Sequence, residues 1–118
     1  MNQRDKRPAP PLTPATFHIL LSLTQEVAHG YHIKRMVEER TQGAVQLGAG
    51  TLYTAIRRML NEGLIKETEA PADCGEVEPG ARWRFYTITR HGRAVLKGEV
   101  ARLEAELAAA RAIVAKHA

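Results

Sequence analysis

At 118 residues, 44% of them hydrophobic and only 5% aromatic, the chain is long enough for one domain built on an aliphatic core. It has no apolar run of membrane-spanning length and no signal-peptide core, which points to a soluble, cytoplasmic protein. One cysteine, Cys74, excludes an internal disulfide and a Cys-rich zinc site. The net charge of +4 hides an uneven spread: without the four carboxylates of residues 69–80 the remainder carries +8, a surface suited to a polyanion.

Residues 1–11 are polar, proline-rich and weakly basic, and are expected to form a flexible N-terminal tail. Thr13-Pro14 reads as a helix start, with threonine as N-cap and proline at the first helical position. This helix extends to about Gln25. Phe17, Ile19, Leu20, Leu21 and Leu23 cover more than one of its faces, which predicts burial on two sides. His18 is expected as a packed histidine at a core or subunit boundary.

A second helix is predicted from about Ala28 to Thr41, closed by Gln42-Gly43. Ile33, Met36 and Val37 would face inward, and Lys34, Arg35, Glu38, Glu39 and Arg40 outward. His29 and His32 stand three apart, as in part of a metal site, but no third ligand is recognisable nearby and no metal or cofactor is expected. Tyr31, near the helix N-terminus, can donate its hydroxyl to a phosphate; the alternative is a tyrosine half buried between helices 1 and 2.

The third helix, about 48–62, has sharp limits. Gly48 serves as N-cap, and Gly63 is the residue type expected just past the end, where a positive φ is needed. Leu52, Ile56, Met59 and Leu60 make one apolar stripe. Opposite stand Gly50, Thr54, Arg57, Arg58 and Asn61, with Thr51 and Tyr53 at the borders. Small residues allow close approach, hydroxyls both donate and accept, and arginines meet phosphate or guanine, so this face suits a DNA major groove. By itself the helix reads equally well as a solvated amphipathic segment with two surface arginines.

Residues 64–69 and 82–88 read as two strands around a Pro/Gly-containing loop. Trp83, Phe85 or Tyr86, and Ile88 are expected against the helices, in a register the pattern leaves open. Arg82 and Arg84 share one face of the second strand. Three helices followed by a hairpin make a winged helix, mainly α with a small β-hairpin, whose wing (about 64–88) has a basic base and an acidic tip.

Thr89 can cap a last helix, about 90–115. Leu96, Val100, Leu103, Leu107, Ala110 and Val114 form a heptad seam on it. Such a helix is ~40 Å long, too long for a small winged domain to cover. A second copy of the chain is the economical partner, giving a homodimer; the alternative is a helix folded back on its own domain. The expected organisation is a tail (1–11), a winged helix-turn-helix domain (12–88) and a dimerisation helix (89–118).

Enzyme motifs are absent: no nucleophile elbow, no phosphate loop, and no Gly-x-Gly-x-x-Gly after a strand. Cys74 lies among carboxylates that disfavour its thiolate. Double-stranded DNA is the expected partner. A winged-helix protein-interaction module that dimerises without meeting DNA is the alternative, favoured by the acidic loop.

With these elements in place the sequence resembles the PadR family of bacterial transcriptional regulators. The resemblance runs from about Leu12 to Ala110 and rests on Leu12-Thr-Pro with Ile19-Leu-Leu21, His29-Gly-Tyr31, Leu47-Gly-Ala-Gly-Thr-Leu-Tyr53, Glu62-Gly-Leu-Ile65, and Arg84-Phe-Tyr-Thr-Ile-Thr89 with Gly92. Each motif alone is common; in this order and spacing they are specific. The resemblance implies repression, the third helix in the major groove, the wing along the backbone, and a dimer built by the last helix, often on helix 1 of its partner. It also implies that Tyr31, Thr51 and Tyr53 face DNA. Ala49 and Thr54 stand where the family commonly has proline. The wing loop is longer and more acidic than usual. The last helix lacks the tryptophans that hold flat aromatic ligands in some members, so such ligands are unsupported; the chain is similar to the short members, which lack an extended C-terminal region.

Overall fold

The computed structural model describes residues 10–72 and 83–118. Helix α1 (Pro14–Gln25) begins where the Thr13 side-chain oxygen accepts the Thr16 N–H at 3.2 Å. It packs against the three later helices and the last strand, and its Ile19, Leu20 and Leu23 are buried. Each such side chain contributes roughly 2 kcal/mol by leaving water.

The chain then makes a two-residue strand, β1 (Ala28–His29), where a helix start is predicted. The reason is local. His29 is extended, and its Nδ1 accepts the His32 N–H at 3.2 Å, so the histidine caps α2 (Gly30–Arg40) from outside. Helix α2 ends in a tight turn in which Gln42, not only Gly43, adopts a positive φ of 54°. Arg40 does not face outward as expected. Its guanidinium reaches back to α1, 3.2 Å from His18 Nδ1, and donates to Ser22 Oγ at 2.7 Å.

Helix α3 (Ala49–Asn61) has the predicted limits, with Gly48 as N-cap and Gly63 at φ 74°. The N–H groups of Gly63 and Leu64 return to the carbonyls of Leu60 and Met59 at 3.2 and 2.9 Å and close the helix. Leu52, Ile56 and Met59 are buried, whereas Leu60 lies at the edge of that arc and is exposed.

The sheet has the antiparallel order β1-β3-β2, one strand more than predicted, from β2 (Ile65–Thr68) and β3 (Phe85–Ile88). Ile65 pairs with Ile88 and Thr68 with Phe85, while Ala28 pairs with Tyr86. Tyr86 and Ile88 join the helical core. Phe85 is buried outside that cluster, its ring edge-on to His29 at 5.3 Å. Trp83 and Arg84 precede the strand rather than belonging to it, and Trp83 is 44% exposed instead of packed on the helices. Arg82, Cys74 and the acidic residues Asp73, Glu76 and Glu78 lie outside the described residues, as does most of the N-terminal tail.

Helix α4 (Arg90–Lys116) starts at Thr89, whose Oγ1 accepts the Gly92 N–H at 3.0 Å. The Thr89 N–H donates to Leu64 O at 3.0 Å, and a Cβ on Gly92 would fall 2.1 Å from that same oxygen, so only glycine fits this crossing. Leu96 is buried in the domain's own core, which removes it from the seam open to a partner. Val100, Leu103, Leu107, Ala110 and Val114 are exposed. Glu99, a charged residue beside the heptad positions, is buried. It accepts from Arg102 at 2.6 Å and from the Leu12 N–H at 3.3 Å, and these bonds hold its carboxyl below the usual range.

Candidate nucleic-acid interface

The buried arc of α3 fixes what its other side presents. At 100° per residue, Gly50, Thr54 and Asn61 lie opposite Leu52, Ile56 and Met59 and form the outermost ridge. Arg57 with Tyr53 flanks that ridge on one side, and Arg58 with Thr51 on the other. All seven are exposed. Among the described residues no ion pair engages Arg57 or Arg58. Two cations that no described carboxylate engages thus stand beside a ridge of small and amide side chains.

Two recesses border the ridge. On the Arg58 side a broad groove of about 760 Å³ runs between α3 and the start of α1, lined by Thr51, Thr54, Arg58, Thr13 and Gln46 among others. On the Tyr53 side a smaller cleft of about 220 Å³ brings together Tyr31, Tyr53 and Arg84 with His29, Trp83 and Tyr86. Tyr53 lies over the backbone of Gly30: a Cβ there would come 2.5 Å from the Tyr53 hydroxyl oxygen. The α2 N-terminus and α3 are therefore in register through this contact, with both hydroxyls at one cleft.

Two further predicted cations among the described residues, Lys34 and Arg84, are partly neutralised. Lys34 bridges to Glu38 at 2.8 Å along α2, and Arg84 to Glu67 at 3.6 Å across the wing base. Both pairs reach solvent, where such pairs contribute little. Burial lowers the pKa of His29, as does neighbouring His32, which favours the neutral ring whose Nδ1 accepts the His32 N–H. Burial raises the Tyr86 hydroxyl above the ordinary phenol range, with Glu67 adding to the shift. Among the described residues no group of three metal-ligating side chains gathers, and no helix is long and apolar enough to cross a membrane.

Sequence reasoning missed Trp83 and His29 as walls of the cleft. Trp83 carried a signal, as the lone tryptophan between two arginines, but strand alternation assigned it to the core. It also missed the edge of α1 that completes the broad groove, which only the packing of α1 against α3 brings there.

Comparison with known proteins gives this surface its context. A protein of Lysinibacillus sphaericus is 30% identical over 78 residues, 66% of this chain and 67% of that one. A PadR family transcription regulator from Clostridium difficile shares the fold with a TM-score of 0.71 at 24% identity, over 86% of this chain and 99% of that one. Bacillus subtilis PadR, solved in complex with operator DNA, has a TM-score of 0.55 at 21% identity, over 70% of this chain and 44% of that one. Residues 19–98, from the buried side of α1 to the first turns of α4, match the transcriptional regulator PadR-like family. The chain is a winged-helix member of the PadR-like family of transcriptional regulators.

Proposed function

We propose that the protein is a repressor that binds an inverted-repeat operator as a homodimer, with α3 in the major groove and the wing base on the backbone. The observation that carries this reading is the outer ridge of α3, Gly50, Thr54 and Asn61 between two arginines that no described carboxylate engages. Thr51, Thr54, Arg57 and Asn61 are the residues assigned to base edges. Tyr31, Lys34, Tyr53, Arg58 and Arg84 are assigned to phosphates, joined by Arg82 from the sequence pattern. The operator complex of Bacillus subtilis PadR supports DNA as the partner.

Dimerisation is assigned to the exposed stripe Val100, Leu103, Leu107, Ala110 and Val114, with half-buried Phe17 and Leu21 of α1 available to the partner's helix. A twofold dimer presents two copies of α3 to one duplex, which is why an inverted repeat is the expected site. A mobility shift with the duplex upstream of the protein's own reading frame tests the proposal. Binding should exceed that of a random duplex and weaken steeply as salt rises. A dimer that shifts neither duplex at low salt would favour the protein-interaction module instead.

A further inference from the structure

Trp83 is the single tryptophan of the chain, and the assignment of phosphate and base contacts leaves it without a role. It stands at the mouth of the cleft between α2, α3 and the start of β3, with nearly half of its surface in water. A large aromatic left this open gains most from a partner that covers it. It is also held in place. The His29 ring meets it edge-on at 4.2 Å and 75°. His29 in turn is fixed by the His32 N–H on its Nδ1 and by its edge contact with Phe85. The rest of the mouth is polar and cationic: Tyr31, Tyr53 and Arg84. At about 220 Å³ the recess is smaller than the roughly 300–1,000 Å³ of small-molecule pockets, and it opens beside the outer ridge of α3.

We infer that Trp83 positions the duplex. Its indole packs against the deoxyribose adjoining the phosphate that Tyr31, Tyr53 and Arg84 grip. An anion-gripping rim with a fixed apolar plate beside it matches the alternation of charged phosphate and apolar sugar along a DNA strand. The inference rests on the DNA reading above and adds a sequence-neutral, apolar contact at the wing base. Its effect is to set how the wing seats on the backbone, not which base is read.

The tryptophan is its own reporter. Wild-type protein is titrated at low salt with the upstream duplex and with a random duplex, and Trp83 emission and acrylamide quenching are followed beside a mobility shift. Acrylamide access should fall on binding either duplex and recover at high salt. Trp83→Ala should weaken both complexes alike, by about tenfold, and Trp83→Phe by less, with melting temperature unchanged. Should Trp83→Ala be less stable, quenching of the wild type decides. If the mobility shift occurs while quenching of Trp83 stays the same, the assignment of Trp83 is wrong and the DNA reading stands. A loss confined to the upstream duplex also overturns it, since that is the mark of base reading. If neither duplex shows salt-dependent binding, the DNA reading fails and this inference fails with it.

Discussion

Arg57 and Arg58 are adjacent in sequence but lie on opposite flanks of the α3 ridge, one toward Tyr53 and the other toward the groove beside α1. Arg57→Ala is expected to weaken specific binding by ~1–3 kcal/mol if the guanidinium reads guanine. Competition between the operator and a random duplex checks this, and an equal loss on both would assign Arg57 to phosphate. The face of α3 was legible because helical periodicity maps the exposed residues once the buried ones are known. Arg40 was not legible. Whether a long cation turns inward depends on acceptors that another helix supplies, here His18 and Ser22 of α1. Trp83 escaped for a related reason: β3 starts only at Phe85, so alternation does not govern the residue before it.

Between elements, the Arg40 contact ties the last turn of α2 to the middle of α1 and fixes a protonation state. A guanidinium only donates, so His18 Nδ1 must accept and the ring must be neutral. Burial, then the charge of Arg40, lowers the His18 pKa below its ordinary value of 6.5. The unfolded chain therefore binds more protons than the folded one just below pH 6.5, and stability from this group is present above that pH and lost as pH falls through it. His29, lowered chiefly by burial, acts in the same direction. Melting temperature should decline from pH 7 toward pH 5, and His18→Gln, whose amide oxygen still accepts from Arg40, should make that decline shallower. An unchanged slope in the variant would detach His18 from the effect. The helices and the hairpin were legible at this scale from caps, stripes and turn residues. Strand β1 was not, because two residues carry no alternation and its pairing with β3 is set only when the domain closes.

For the molecule as a whole, the telling feature is how much of α4 the domain leaves uncovered. Leu96 and Glu99 are buried, but every residue from Leu103 onward is exposed. The heptad spacing of α4 is plain in the sequence; where the domain core ends along the helix is not, because that spacing is the same on both sides of that point. Leu103→Glu would place a carboxylate in the proposed seam. Light scattering should then report a monomer, and operator affinity should fall sharply because the two half-sites no longer act together. A variant that remains dimeric would move the interface elsewhere. The crossing of Gly92 over Leu64 bears on the proposed dimer. The end of α3, the first residue of the wing and the first turn of α4 meet around one carbonyl oxygen, with the Thr89 N–H and hydroxyl both on it. The end of α3 and the start of the long helix are thereby joined through backbone groups. For a lever of ~40 Å, each degree of tilt of α4 displaces its far end by roughly 0.7 Å relative to the domain. In the proposed dimer, the spacing of the two half-sites would thus follow from the angle at which the α4 helices cross, far from any base pair.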